Sequence, residues 1–234
     1  CKLSLSLSLM LKVLTSTNSL MKQKMLQSHS LRSFATYLIK NGTVVNPDRQ
    51  FKADVVIEGD KISGVFNPSD SIASQKNFDR VFDASGKYII PGGIDPHVHM
   101  ELPFMGTTAV DDFDIGSKAA IAGGTTCFVD FIIPGEEGLL HAYNDWRTRA
   151  DKKTHCDYTL HCAITHWNPQ VAQEMEEIVK KGVSSFKLFT AYKGTTFFHN
   201  DERMLEIFDR CKQLGATVLV HAENGDIISY NQNR

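Results

Sequence analysis

Two histidines, His97 and His99, stand one residue apart at the end of the apolar run Ile94 to Val98. On an extended strand, side chains at i and i+2 share a face, so both imidazoles can reach one metal ion. Two polar loop residues would fit the pair as well. A third histidine, His221, ends the run Thr217-Val218-Leu219-Val220. Taken alone it reads as a satisfied core histidine, and its weight comes from ending a second apolar strand. Lys187 is the most informative residue, because it lies inside Ser185-Phe186-Lys187-Leu188-Phe189. Lysines belong to surfaces, and an unpaired ammonium among apolar neighbours is costly. One resolution is chemical. A neutral lysine amine takes up CO₂ and becomes a carbamate, an anion whose two oxygens can each bind one of two metal ions. Burial favours this by lowering the amine pKa. Two metals about 3.5–4 Å apart generate hydroxide at neutral pH and polarise a carbonyl. Tyr192 follows in Thr190-Ala191-Tyr192-Lys193, where its phenol could donate to an oxyanion on an attacked carbonyl. From spacing alone, a packing tyrosine is the plainer reading. His155, His161 and His166 receive no ligand role, and Glu223 and Asp226 fit a solvated turn better than a substrate contact.

The elements that must position these residues can be read from periodicity. Tyr37 to Val45, Ala53 to Glu58 and Lys61 to Phe66 read as strands, with turns at Asn46-Pro47-Asp48 and Gly59-Asp60. Short strands at Val81-Phe82 and Tyr88 to Ile90 complete what reads as a small antiparallel β unit. Beyond Gly92-Gly93 the pattern alternates. Strands are expected at Ile94 to Val98, Thr126 to Ile132, Tyr158 to Ile164, Ser185 to Thr190 and Thr217 to His221. Helices are expected between them: Leu139, Leu140, Tyr143 and Trp146 mark one. Val171, Met175, Ile178 and Val179 mark the next, behind an Asn168 cap and Pro169 at the first helical position, with Gly182 past its end. Asn200 caps a third, faced by Met204, Leu205, Phe208 and Cys211 and followed by Gly215. Strands alternating with helices imply a parallel sheet, and near-continuous apolar strands imply that both faces are covered. A doubly wound sheet or a TIM barrel would each fit. No GxGxxG or GxxxxGK[ST] follows a strand, so a nucleotide-binding sheet lacks its signature. Strand midpoints recur about every 31 residues, and eight such units need roughly 250 residues, so residues 92–234 supply only part of a barrel.

Composition sets the outer bounds. The 234 residues are 42% hydrophobic and 22% charged, enough for a packed core and unlike a disordered or collagenous chain. A net charge of −2 gives no basic excess for nucleic acid, and no apolar run is long enough to span a membrane. Five cysteines without a CxxC pair argue against a disulfide framework and against a cysteine-built zinc site.

Pro91-Gly92-Gly93-Ile94-Asp95-Pro96-His97-Val98-His99, Asp111-Asp112-Phe113, Ala122-Gly123-Gly124-Thr125-Thr126, Ser185-Phe186-Lys187, Ala191-Tyr192-Lys193 and Val220-His221-Ala222-Glu223-Asn224-Gly225-Asp226 occur in order. Together they make the chain, from about residue 37 onward, resemble the dihydropyrimidinase and hydantoinase family of cyclic amidohydrolases. The Phe-Lys…Ala-Tyr-Lys and His-Ala-Glu-Asn-Gly-Asp segments resemble the dihydropyrimidinase branch more than dihydroorotases or allantoinases. The resemblance implies an α/β fold, an incomplete TIM (β/α)8 barrel of about five βα units preceded by part of a small β-sandwich domain. It implies two zinc ions bridged by carboxylated Lys187, with His97 and His99 on the first and His221 on the second. It implies Tyr192 on the substrate carbonyl and Phe104 and Phe189 in the substrate pocket. The implied reaction is ring opening of dihydrouracil or dihydrothymine to the N-carbamoyl β-amino acid by a bridging hydroxide, in pyrimidine degradation. The implied assembly is a homotetramer. Hydantoinase-type ring preference is an alternative. So is a non-catalytic dihydropyrimidinase-related scaffold, although such relatives generally lose the HxH pair and the lysine that this chain keeps.

The resulting division is a leader at 1–36, a sandwich part at 37–91 and a barrel part at 92–234. No Asp or Glu precedes Asp48, while Ser, Leu and Lys abound. That profile fits a disordered leader in a cytoplasmic protein or, alternatively, a mitochondrial transit segment. The family places another metal-binding histidine and a catalytic aspartate on later strands, so the 234-residue chain by itself is expected to be insoluble or inactive.

Overall fold

The computed structural model describes residues 35–104 and 106–234, apart from the Phe104 side chain. The leader therefore lies almost wholly outside the described residues. The chain divides into two compact units, one ending at Ile90 and the other running from Pro91 to Arg234.

In the first unit, β1 (Thr36–Val45) pairs antiparallel with β2 (Gln50–Glu58), which pairs antiparallel with β3 (Lys61–Phe66). Gly59 at φ 63° makes the tight β2–β3 turn. The register slips between Ile39 and Gly42, where Asn41 adopts φ 65° and donates its amide to buried Asp54 at 2.8 Å. The expected all-antiparallel unit is corrected at the far edge. Strands β4 (Arg80–Asp83) and β5 (Tyr88–Ile89) both run parallel to β1. After β3 the chain passes through a 3₁₀ turn at Pro68–Asp70 and helix α1 (Ile72–Gln75). That crossing returns it to the opposite edge of the sheet in the direction of β1. A hairpin would have reversed it. Leu38, Val44, Ala53, Val55 and Val56 are buried in this unit, while Ile62, Val65, Val81, Phe82 and Tyr88 are exposed.

The second unit begins with β6 (Gly93–Val98), followed by the small hairpin β7 (Pro103–Phe104) and β8 (Thr107–Thr108) and by α2 (Phe113–Ala122). It continues β9 (Thr125–Ile132), α3 (Leu139–Lys153), β10 (Asp157–Ala163), α4 (Pro169–Lys180), β11 (Ser185–Phe189), α5 (Asp201–Leu214), β12 (Thr217–His221) and α6 (Gly225–Gln232). The sheet order is β12-β11-β10-β9-β6, with every pair parallel. This is an α/β architecture, a curled parallel sheet forming part of a TIM-type barrel.

Strand pleat divides the side chains. Phe128, Ile132, Leu160, Cys162, Ile164, Phe186 and Leu188 join Phe113, Leu139, Trp146, Met175, Ile178 and Ile207 of the helices in one core. The residues between them, such as Phe131 and Lys187, face the other way, toward the inside of the curl. The expected helix starts are capped. Asn168 accepts the Val171 amide at 2.9 Å, and Asn200 accepts that of Arg203 at 3.0 Å. Helix α3 follows Gly138 and has no side-chain cap of its own, so Glu174 of α4 accepts its Leu139 amide at 2.7 Å. Gly215 ends α5 at φ 64°.

Asn168→Ala should lower unfolding stability by about 1 kcal/mol, and Met175→Ala, which empties a fully buried site, by about 2–5 kcal/mol. Denaturant melts that rank the two in the reverse order would refute this account of how α4 is held.

Candidate active site

His97, His99, Lys187 and His221 converge because each lies at or near the C-terminal end of a parallel strand, where barrel sites form. The Phe131 ring, 1% exposed, is a floor shared by His97, His99 and Lys187. Its centroid is 4.4 Å from that of His97, 5.0 Å from His99 and 4.8 Å from His161. His97 and His99 meet edge to face at 5.2 Å. Lys187 Nζ lies 5.8 Å from the Phe131 centroid and 5.5 Å from that of Phe189. His221 pairs in register with Phe189 across β11 and β12, with ring centroids 6.0 Å apart. Tyr192 stacks on His221 at 5.9 Å and 25°.

These residues line one cavity of about 270 Å³, walled by Phe131, Phe189 and Phe197. A larger one of about 480 Å³, lined by Thr190, His199, Glu202 and Glu223 among others, includes none of His97, His99, Lys187 or Tyr192.

The electrostatics suit metal ligation. Lys187 is 7% exposed, and among the described residues no ion pair or hydrogen bond involves its Nζ. Burial holds its amine below the usual lysine range, which favours the neutral form that reacts with CO₂. Burial, reinforced by the Lys187 charge, holds His97 below the usual histidine range. His99 is lowered by burial and then by His97 and Lys187. Neutral imidazoles offer the lone pairs a metal needs. His221 Nε2 is hydrogen-bonded to the Glu223 carboxylate. Among the described residues no three His, Cys, Asp or Glu are grouped to hold a metal ion. The donor set here is three imidazoles divided between the two sides of Lys187, so it fits a bound metal pair only if the lysine becomes an oxygen ligand.

Local structure explains the remaining placements. Thr190 Oγ1 donates to the carbonyls of His221 and Glu223 at 3.1 and 2.6 Å, tying the two strand ends together. Gly225 lets α6 start against them, because a Cβ there would lie 2.6 Å from the Thr190 carbonyl oxygen. Tyr192 adopts φ 61°, a left-handed turn that brings its ring back over the cavity. Phe189 lines the cavity, whereas the Phe104 side chain lies outside the described residues.

Two supporting residues escaped sequence reasoning. His161 donates from Nε2 to the Pro96 carbonyl at 3.0 Å, while Nδ1 meets Ser185 Oγ at 2.5 Å. One nitrogen thus holds the chain just before His97, and the other ties β10 to the start of β11. Strand alternation places His161 on the inner face, and that was the available signal. Asp130 is buried on the outer face of β9, and burial pushes its carboxyl up to about 7 against the opposing pull of the Phe131 and Met100 amides. A carboxylate inside an apolar strand was its signal.

Residues 88–234 match the Amidohydrolase family. The Dictyostelium discoideum dihydropyrimidinase is 53% identical over 201 residues, 85% of this chain and 39% of its own length. The solved dihydropyrimidinase of Brevibacillus agri NCHU1002 aligns at TM-score 0.79 and 41% identity, over 85% of this chain and 42% of that one. The D-hydantoinase of Bacillus sp. AR9 aligns at TM-score 0.76 and 40% identity, over 83% and 41%. The chain thus spans about two fifths of the length of these relatives. The family match, the relatives and the cavity at the strand ends agree: the chain belongs to the amidohydrolase family, among its dihydropyrimidinases and hydantoinases.

Proposed function

We propose that a full-length version of this protein is a zinc-dependent cyclic amidohydrolase that opens 5,6-dihydropyrimidine rings, converting dihydrouracil and dihydrothymine to N-carbamoyl β-amino acids. The observation that carries this reading is the buried amine of Lys187, without an ion-pair partner among the described residues, in a cavity shared with His97, His99 and His221. As a carbamate it would bridge two zinc ions, His97 and His99 holding one and His221 the other. Bound zinc would supply Lewis acidity to polarise the ring carbonyl and acidify water.

The chain's own residues do the rest. The Tyr192 phenol donates a hydrogen bond to the carbonyl oxygen as negative charge develops there. Phe131, Phe189 and Phe197 exclude water and present flat faces to a planar amide. Glu223 accepts from His221 and fixes which imidazole nitrogen faces the cavity. In the overall change water adds across the ring amide: the C–N bond breaks, the carbonyl carbon gains oxygen, and the ring nitrogen gains a proton.

The likeness to a D-hydantoinase supports a second reading for the ring alone, a five-membered hydantoin in the same cavity. Competition between dihydrouracil and hydantoin for the purified enzyme separates the two by their kcat/KM ratio.

Lys187→Ala should remove bound zinc and hydrolysis together, and retention of both would exclude the bridging role. Tyr192→Phe should lower kcat by about 10²–10³ with little change in KM, as expected for an interaction made chiefly in the transition state. An unchanged kcat would remove the phenol from the mechanism. Chelator treatment should abolish turnover, with recovery on adding zinc, and full activity in zinc-free protein would sink the metal reading.

A further inference from the structure

The segment that follows His99 is held by groups that the reaction itself does not use. Asp130 is 1% exposed and sits opposite Val98 in the β6–β9 register. Its Oδ1 accepts two amides, Phe131 at 2.7 Å and Met100 at 3.3 Å. Met100 is itself buried, so without Asp130 its amide would lose its partner in the protein interior. The outer face of β9 otherwise carries Phe128 and Ile132, and an apolar residue would satisfy packing there equally well. A carboxylate in that position is costly unless its hydrogen bonds are needed.

The next residue is constrained as tightly. Glu101 adopts φ 51°, a conformation uncommon outside glycine. Its amide donates to the Asp111 carbonyl at 2.8 Å. Its carboxylate pairs with Lys153 of α3 and, at 3.5 Å, with Arg149. Arg149 in turn lies 4.2 Å over the ring of Trp146. Trp146 and Arg149 both lie close enough to Asp130 to favour its charged form, so the polar groups of this brace are concentrated behind the histidine strand. Met100 also packs on Gly116, where a Cβ would fall 2.4 Å from its sulfur. Backbone, charge and packing thus all fix the peptide directly after His99.

We propose that Asp130 is a positioning residue for the His97–His99 pair, acting through the Met100 amide, with Arg149 completing the brace through Glu101. Rotation of the Met100 peptide would swing the preceding imidazole, and a ligand pair must be held to a fraction of an ångström to close on one ion. The assignment rests on the reading of His97 and His99 as metal ligands, but the brace is measurable without metal.

The test is hydrogen exchange by mass spectrometry on metal-free, full-length protein. In Asp130→Ala, peptides covering residues 97–101 should exchange about tenfold faster while those of β10 and β11 keep their rates. Asp130→Asn, which keeps the accepting oxygen, should restore most of the protection. Arg149→Met should also loosen 97–101, and it carries the test should Asp130→Ala not fold. In zinc-loaded protein, loss of metal to a chelator should quicken by about tenfold or more in Asp130→Ala and recover in Asp130→Asn. Unchanged exchange at 97–101, or an equal rise across β10 and β11, overturns the proposal. Wild-type protein that takes up no zinc would overturn the functional reading instead, and the exchange pattern would still decide the brace.

Discussion

Lys187 lies on the inner face of β11, while Phe186 and Leu188 on either side of it pack outward against the helices. That alternation leaves the amine nowhere else to go. Turning it outward would bury an ammonium among apolar side chains, and inward it meets aromatic rings and imidazoles, with no carboxylate paired to it among the described residues. A cation held under those conditions sheds its proton more readily than in water, and burial accordingly holds the amine below the usual lysine range. The arrangement follows from this constraint: the floor is aromatic, burial holds His97 and His99 below the usual histidine range, and the strand ends must be held in register.

Register is supplied by groups outside the cavity. His161 spends both its nitrogens on the chain before His97 and on Ser185, and Thr190 joins the ends of β11 and β12. Asp130 accepts the amide immediately after His99. Each is a polar group at a position that could have been apolar, and each bonds backbone in another element. The helices contribute differently. They cover the outer face with Phe113, Trp146, Met175 and Ile207, which fixes the strands as a layer and leaves the fine placement of the histidines to these hydrogen bonds.

Much of this was legible in the residues. Apolar periodicity marked all five parallel strands to within a residue or so. Asn168, Asn200 and Gly215 marked helix ends because capping depends on neighbours only a few positions away. The HxH pair and a lysine within an apolar run pointed to the same chemistry. The β1–β4 pairing was misread as antiparallel because strand direction depends on the path of the intervening chain, and that path carries no period of its own. His161 and Asp130 went unassigned for a related reason: their partners are 65 and 30 residues away.

The sequence by itself singled out the candidate site residues and determined which segments would be strands or helices. Both depend on side-chain type and on spacing over one or two turns of chain. The tertiary structure alone decided that Phe131 lies under His97, His99 and His161 at once, that His221 sits across from Phe189, and that one carboxylate faces the amide after His99. Those relations are set by the order and offset in which distant strands pair, a property of the assembled sheet that no local pattern encodes.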